Sequence, residues 1–350
     1  MGKPIGSIGC NQLNMKVDRD SLAAVFLENA GWGGARRLPL AADASFRSYE
    51  RVMKGGHRAV LMNAPPPEED VRGFSRIARH LLKHGYSAPR IFAEDSDLGF
   101  MLLEDLGDDT FASLLDRGVN EDELYLLATD FLIELHSQGS AVILRELSEH
   151  TQDFLLQEAE LFTSWYLPEI FGAPLSESAK QSYLIAWKSV LTNALKVPST
   201  MVLRDFHVDN LIRVDERPGY AACGLLDFQD ALVGPITYDL VSLLEDARRD
   251  VSKTIQTEMK IHYLKSFPLL DEDTFLGSMA VLGAQRHAKV IGIFARLFRR
   301  DGKPNYIKHI PRVWSLLENC CLHPNLEPIK IWLDTQVPVE LRVAPRSLVR

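Results

Sequence analysis

Three hundred and fifty residues, 46% of them apolar, suffice for about two domains, or for one unit built as two lobes around a cleft. Lysine and arginine number 39 against 47 acidic residues, a net charge of −8 that excludes an extended nucleic-acid footprint but leaves room for a local basic pocket. Cys10, Cys223, Cys320 and Cys321 form neither a disulfide framework nor paired zinc-ligand spacing, no apolar run reaches membrane-spanning length, and the amino terminus lacks a signal-peptide core, so a cytoplasmic protein with no membrane partner is expected.

Residues 1–16 read as a loose leader. Asp20 to Asn29 follows as an amphipathic helix with Leu22, Val25, Phe26 and Ala30 on one side, ended by Gly31 and Gly33. Next comes a hairpin, with one strand over Ser45–Met53, a turn at Lys54-Gly55-Gly56 and a second strand over Arg58–Met62. Pro65-Pro66-Pro67 stops it. Glu68-Glu69-Asp70 then opens a helix to Lys83-His84, closed by Gly85, with an acidic first turn and a basic last turn as the helix dipole favours. Strands are predicted at 88–91 and 98–103, and Glu104-Asp105-Leu106-Gly107-Asp108-Asp109 breaks the pattern.

Beyond that break the periodicity is helical. Asn120 caps a helix carrying Leu124, Leu127, Ala128, Phe131, Leu132 and Leu135; Asp153–Leu167 and Ser178–Lys196 are the next two. Two short apolar runs, Met201–Leu203 and Ala221–Leu226, then each deliver an aspartate at the carboxyl end, Asp205 and Asp227, with Asn210 five positions after Asp205. GPITYDLVSLL follows, where Gly and Pro break the chain before a helix over Ile236–Arg249; its Asp239 either caps that helix or anchors a neighbouring loop through backbone amides. Residues 283–304, GAQRHAKVIGIFARLFRRDGKP, make a helix with Arg286, Lys289, Arg296 and Arg300 along one stripe, either a solvated face or a reader of an anionic group. The proline-punctuated remainder after Cys321 reads as a surface arm.

An Asp and an Asn at one fixed separation arise about once by chance in a chain this long, so the pair alone carries little. Its order carries more: strand, Asp, Asn, second strand, Asp-Phe. This resembles the kinase catalytic loop, in which an Asp takes the substrate hydroxyl proton while an Asn and a second Asp hold Mg²⁺ beside ATP. The residue types suit that chemistry, because Mg²⁺ prefers oxygen ligands and a separate carboxylate must stay clear of metal to accept a proton. On that likeness the hairpin lies over the nucleotide phosphates, with backbone amides near Phe46, the Ser45 hydroxyl and Arg47 as contacts; an ordinary hairpin is the alternative. The break at 104–109 becomes a hinge between lobes at 1–103 and 110–350, whose Glu104 and Leu106 backbones face adenine, unless it is a plain surface turn. No lysine stands in Arg58–Asn63, where a phosphate-pairing lysine belongs. Either Arg47, Arg51 or Arg58 supplies that charge, or backbone amides and metal hold the phosphates.

The sequence as a whole resembles the aminoglycoside-phosphotransferase and choline-kinase superfamily, and within it the bacterial N-acetylmuramate/N-acetylglucosamine anomeric kinases. ADASFRSYERV, LMNAPPPEED, GFMLLEDLGD, SWYLPEIFG, VLRDFHVDNLI, GLLDFQDALVGPITYDLVSLLEDARRDV and QRHAKVIGIFARLFRRDGKPNYIKHIPR carry the likeness, in order, from about Ala41 to Arg312. It implies an α+β, two-lobed protein-kinase-like fold, with a small antiparallel sheet in the amino-terminal lobe and a larger, mainly helical carboxyl-terminal lobe. It implies ATP and Mg²⁺, phosphate placed on the anomeric hydroxyl of the sugar, and a role in peptidoglycan recycling with the product passed to a uridylyltransferase. Carried over, Asp205 is the base, Asn210 and Asp227 are metal ligands, Asp239 is structural, and Arg204, Gln285, Arg286 and His287 are substrate contacts. Leu203 departs from the histidine common before the Arg-Asp pair, which bears on the packing beneath the loop. A different small alcohol as acceptor, aminoglycoside or choline, and a nucleotide-binding module without turnover are the competing readings.

Overall fold

The computed structural model describes residues 18–40 and 46–345. The expected leader and Ser45 lie outside them. The chain packs as two compact units: one takes the residues up to Arg72 together with Ile91–Asp105, the other Gly73–Arg90 and everything from Leu106. The helix after the proline run thus packs with the second unit.

The first unit is a five-stranded antiparallel sheet in the order β1-β2-β3-β5-β4, with β1 Arg36–Pro39, β2 Ser48–Lys54, β3 His57–Asn63, β4 Ile91–Asp95 and β5 Phe100–Glu104. Gly55 and Gly56 turn β2 into β3 with φ of 57° and 82°, a conformation at both central positions that only glycine adopts without strain. Val52, Ala59, Leu61, Phe100 and Leu102 point to one face, where Ala23, Phe26 and Leu27 of the helix Arg19–Asn29 cover them. Asp18 caps that helix by accepting from the Asp20 amide. The strand expected at 88–91 begins instead at Ile91, because Pro89 has no N–H to give a ladder.

The second unit is mainly helical, so the molecule is α+β as expected. Two small ribbons interrupt the helices: β6 Ser199–Val202 pairs with β9 Leu232–Pro235, and β7 Leu211–Arg213 with β8 Cys223–Leu225. The helix Glu121–Ser137 starts at its expected Asn120 cap. The helix predicted from Ile236 ends at Leu244, five residues early, since Asp246 turns inward to accept from the Arg248 amide. The tail is not a surface arm. Pro328 sits in the first turn of the helix Glu327–Gln336, where its missing N–H costs nothing, and Ile329, Trp332 and Leu333 bury against the body.

At the centre runs the 28-residue helix Glu272–Arg299, capped by Asp271. The helix Gln152–Leu161 widens into one π turn at Phe162–Tyr166, and there the long helix crosses it at Gly292. A Cβ at Gly292 would lie 2.3 Å from the Leu161 carbonyl carbon and 2.6 Å from the Phe162 nitrogen, so the backbones approach as only glycine permits. Replacing Gly292 by valine must part them, and a stability loss of about 2–3 kcal/mol is expected in urea denaturation. A variant as stable as the wild type would show that this crossing is loose.

Candidate active site

The residues singled out in 201–230 arise from how the two ribbons end. Leu211 pairs with Leu225, and the Leu226 amide donates to the Asn210 carbonyl at 2.9 Å, so Asn210 and Asp227 leave the β7/β8 ribbon at the same end, on opposite strands. Asn210 Nδ2 donates to the Asp205 carbonyl at 3.0 Å, which folds the intervening loop back on itself. All three side chains are half-buried, and Asp205 keeps 43% of its surface open. Both carboxylate turns hold a non-glycine residue in left-handed conformation, Arg204 at φ 71° and Asp227 at φ 55°. Such backbone costs on the order of 1–2 kcal/mol and persists only where its surroundings fix it.

The fixing groups come from three directions. Asp239, fully buried in the helix Thr237–Leu244, accepts from the Leu203 amide at 2.6 Å and the Arg204 amide at 2.8 Å. Arg286 of the long helix donates to the Arg204 carbonyl at 2.9 Å and reaches Asp205 Oδ1 at 3.4 Å. The Arg204 guanidinium turns away from Asp205 to Glu158 at 2.5 Å, and Lys289 donates to the same Glu158 oxygen at 2.8 Å. Gln285 and His150 complete that carboxylate's shell at 3.3 and 3.4 Å. Leu203, where a histidine is common, simply packs in the core, its amide held by Asp239.

Charge follows from this packing. The recess alone would push the Asp205 carboxyl up, but Arg286 and Lys289, with Arg204, outweigh it and hold the group at about 2. Burial pushes Asp239 up to about 7 against its two amide bonds and Arg286. His207 is lowered to about 3 by burial, with Arg248 adding to the effect, so its imidazole is neutral, and its Nε2 accepts from Arg248 at 3.2 Å. Burial also opposes charge on Glu158, yet Lys289, His150 and Arg204 hold it well below the usual carboxylate range.

That last balance has a testable sign. A native carboxyl held below its ordinary value near 4.5 contributes stability that is complete above that value and fades as pH falls toward the native one. Glu158→Gln strands Lys289 and Arg204, and should cost about 3 kcal/mol at pH 7. The gap from wild type in urea denaturation should narrow steadily below about pH 4.5. An equal gap at pH 7 and pH 3.5 would contradict an ionised Glu158.

Of the residues expected at substrate, Arg204 and Arg286 stand behind Asp205 as described, whereas Gln285 and His287 are fully buried. Gln285 donates to the Leu155 carbonyl, and His287 faces Glu245 at 2.8 Å, with Cys320 also donating to that carboxylate at 3.4 Å. The expected basic stripe divides accordingly: Arg286 and Lys289 are buried in the brace, while Arg300 pairs with Asp301 on the surface. Glu158 and Tyr238, which accepts from both Arg286 and Lys289, were not singled out in the sequence. The available signal was an acid on an otherwise apolar helix face, Leu155-Leu156-Gln157-Glu158-Ala159.

In the first unit, Arg51 forks onto the buried Asp105 carboxylate at 2.7 and 3.1 Å, and Arg58 approaches it at 3.5 Å. Arg47 lies 3.4 Å from Glu69, whose carboxylate also accepts from the Phe46 amide; the Phe46 ring is exposed. Glu104 ends β5 opposite Ala59, and Leu106 opens the second unit.

A divalent ion fits the donor set at the ribbon end. The Asn210 amide nitrogen is engaged with Asp205, which leaves its oxygen as the outward donor. Gln229 spends its nitrogen on Asp227 at 2.9 Å and Asp230 at 3.1 Å, while its buried oxygen has no hydrogen-bond partner among the described residues. An orphaned acceptor beside two carboxylates is what a cation or its bound water would satisfy.

The phosphotransferase enzyme family matches residues 37–273. An N-acetylmuramate/N-acetylglucosamine kinase from Caulobacter vibrioides is 34% identical, with 94% of this chain and 100% of the relative covered. A protein of the same name from Pseudomonas aeruginosa is 38% identical over 88% of this chain and 90% of its own. Among solved structures, choline kinase LicA from Streptococcus pneumoniae superposes with a TM-score of 0.60 at 11% identity, covering 87% of this chain and 100% of that one. The GDP complex of wild-type aminoglycoside 2'-phosphotransferase-IIIa gives 0.57 at 16%, covering 87% and 98%. These two likenesses show the fold, which is kinase-like. No helix among the described residues is long and apolar enough to cross a membrane. With the match to residues 37–273 and near full-length similarity to sugar kinases, the chain belongs to the phosphotransferase enzyme family.

Proposed function

We propose that this protein is an ATP-dependent kinase that phosphorylates the anomeric hydroxyl of N-acetylmuramate, N-acetylglucosamine or both. The observation that carries the reading is the ribbon end, where Asn210 and Asp227 emerge together and a hydrogen bond ties the Asp205 loop to Asn210, in a chain similar along its length to kinases of those sugars.

Asp205 is the proton acceptor, and Asn210 and Asp227, with Gln229 behind them, would hold Mg²⁺. When bound, that ion supplies charge neutralisation on the phosphates. The sugar oxygen bonds to the γ-phosphorus as the bond to the bridging oxygen breaks and ADP leaves, and the hydroxyl proton passes to Asp205. A carboxyl at about 2 is a weak base. In a loose transition state the hydroxyl loses its proton late, so aiming the oxygen in line contributes more than pulling the proton away. On the nucleotide side we assign the Phe46 amide, the Ser45 hydroxyl, Arg47 and the backbones of Glu104 and Leu106, within a hinge at 104–109. The product is a sugar 1-phosphate, the kind of compound a uridylyltransferase activates, and we assign the reaction to peptidoglycan recycling in the cytoplasm.

A cationic acceptor, aminoglycoside or choline, is the competing reading, and it would want acids on the open side of Asp205. Incubation with labelled ATP, Mg²⁺ and each sugar is expected to give an acid-labile sugar phosphate. Transfer to neither sugar, or preferential transfer to kanamycin or choline, would overturn the assignment.

A further inference from the structure

We infer that Arg286 is a positioning residue for phosphate transfer: from the long helix it fixes both the Arg204 carbonyl and the Asp205 carboxylate, so residues 285–289 aim the base and do not read the sugar. The inference rests on Asp205 as the proton acceptor.

Three observations carry it. Arg286 is buried, and its guanidinium donates to the Arg204 carbonyl at 2.9 Å, the Tyr238 hydroxyl at 3.3 Å and Asp205 Oδ1 at 3.4 Å. A planar guanidinium can hold two acceptors of one loop at a fixed angle, which a lysine ammonium cannot. The Arg204 turn it grips is left-handed, and the loop amides on the other side already belong to Asp239, so the Arg204 carbonyl is held from the helix side by Arg286. Finally, the polar neighbours of Arg286 along the helix are buried and turned to protein groups: Gln285 Nε2 donates to Leu155 and Glu158, His287 faces Glu245, and Lys289 donates to Glu158 and Tyr238, while Gln285 Oε1 has no hydrogen-bond partner among the described residues.

The charged and titratable groups around Asp205 are Arg286 and Lys289 from the long helix, Arg204 and His207 from its own loop, and Asp239 and Tyr238 from the helix Thr237–Leu244.

Arg286→Gln and Arg286→Lys in the full chain test this. For Arg286→Gln, kcat should fall about 100-fold while KM for sugar and for ATP stays within about threefold. Arg286→Lys should recover only part of that kcat, since it keeps charge without the fork, and added guanidinium ion should restore turnover to Arg286→Gln. A tenfold rise in sugar KM with kcat retained would make Arg286 a sugar contact and overturn the inference. So would a loss of kcat that neither the lysine variant nor guanidinium relieves, which marks a merely structural role. The same comparison made on slow ATP hydrolysis by water needs no sugar, so failure of the sugar assignment and failure of this inference are distinguished.

Discussion

Asp205→Asn should lower kcat for phosphate transfer to sugar by about 10³-fold while leaving KM for ATP within about threefold and the melting temperature near wild type. The size follows from what the substitution removes. Asparagine has the same shape, so the loop, whose backbone is held by Asp239, Arg286 and Asn210, should stay in place. The amide cannot accept a proton, and it puts a donor where the sugar hydroxyl must give one up. A variant retaining more than about a tenth of wild-type kcat would mean that the proton leaves by another route.

Asp239→Ala should be the most damaging change away from the reacting atoms. It orphans the Leu203 and Arg204 amides in a buried place, about 1–3 kcal/mol each, and opens a cavity, so a total loss of about 3–5 kcal/mol is expected. Transfer should fall with it, because the left-handed Arg204 turn then lacks half its support. The pH dependence separates the charge from the packing. With Asp239 raised from its ordinary 3.8 to about 7, the native chain keeps a proton that the unfolded chain has released across that window. This group's contribution to stability is therefore greatest below about 3.8, declines as pH rises to about 7, and is flat beyond. Asp239→Asn cannot titrate, so its stability relative to wild type should improve between pH 4 and 7, even though one amide oxygen serves two N–H groups less well. Urea denaturation at three pH values checks this; a constant difference would place the native carboxyl near its ordinary value.

The order of strands, turns and carboxylates is written locally in the sequence, and that is why it can be read there. Strand-end aspartates, the Gly55-Gly56 turn and the Asn120 cap each declare themselves within a few residues. What depends on distant packing is not legible in this way. Glu158 and Lys289 look like surface charges until three helices enclose them, and Gln285 and His287 look like ligand contacts until their partners at Leu155 and Glu245 are seen. β1 is four residues long, with two arginines and a proline, and acquires strand geometry only by pairing with β2. The tail misleads because Pro324 and Pro328 sit inside helix first turns, where they permit a helix and do not end one.

The buried face of the helix Glu272–Arg299 ties the reactive carboxylate to the scaffold without occupying the open side of Asp205. On the proposed reading, changes in the loops that face the open side of Asp205 can alter what is bound there without disturbing that tie.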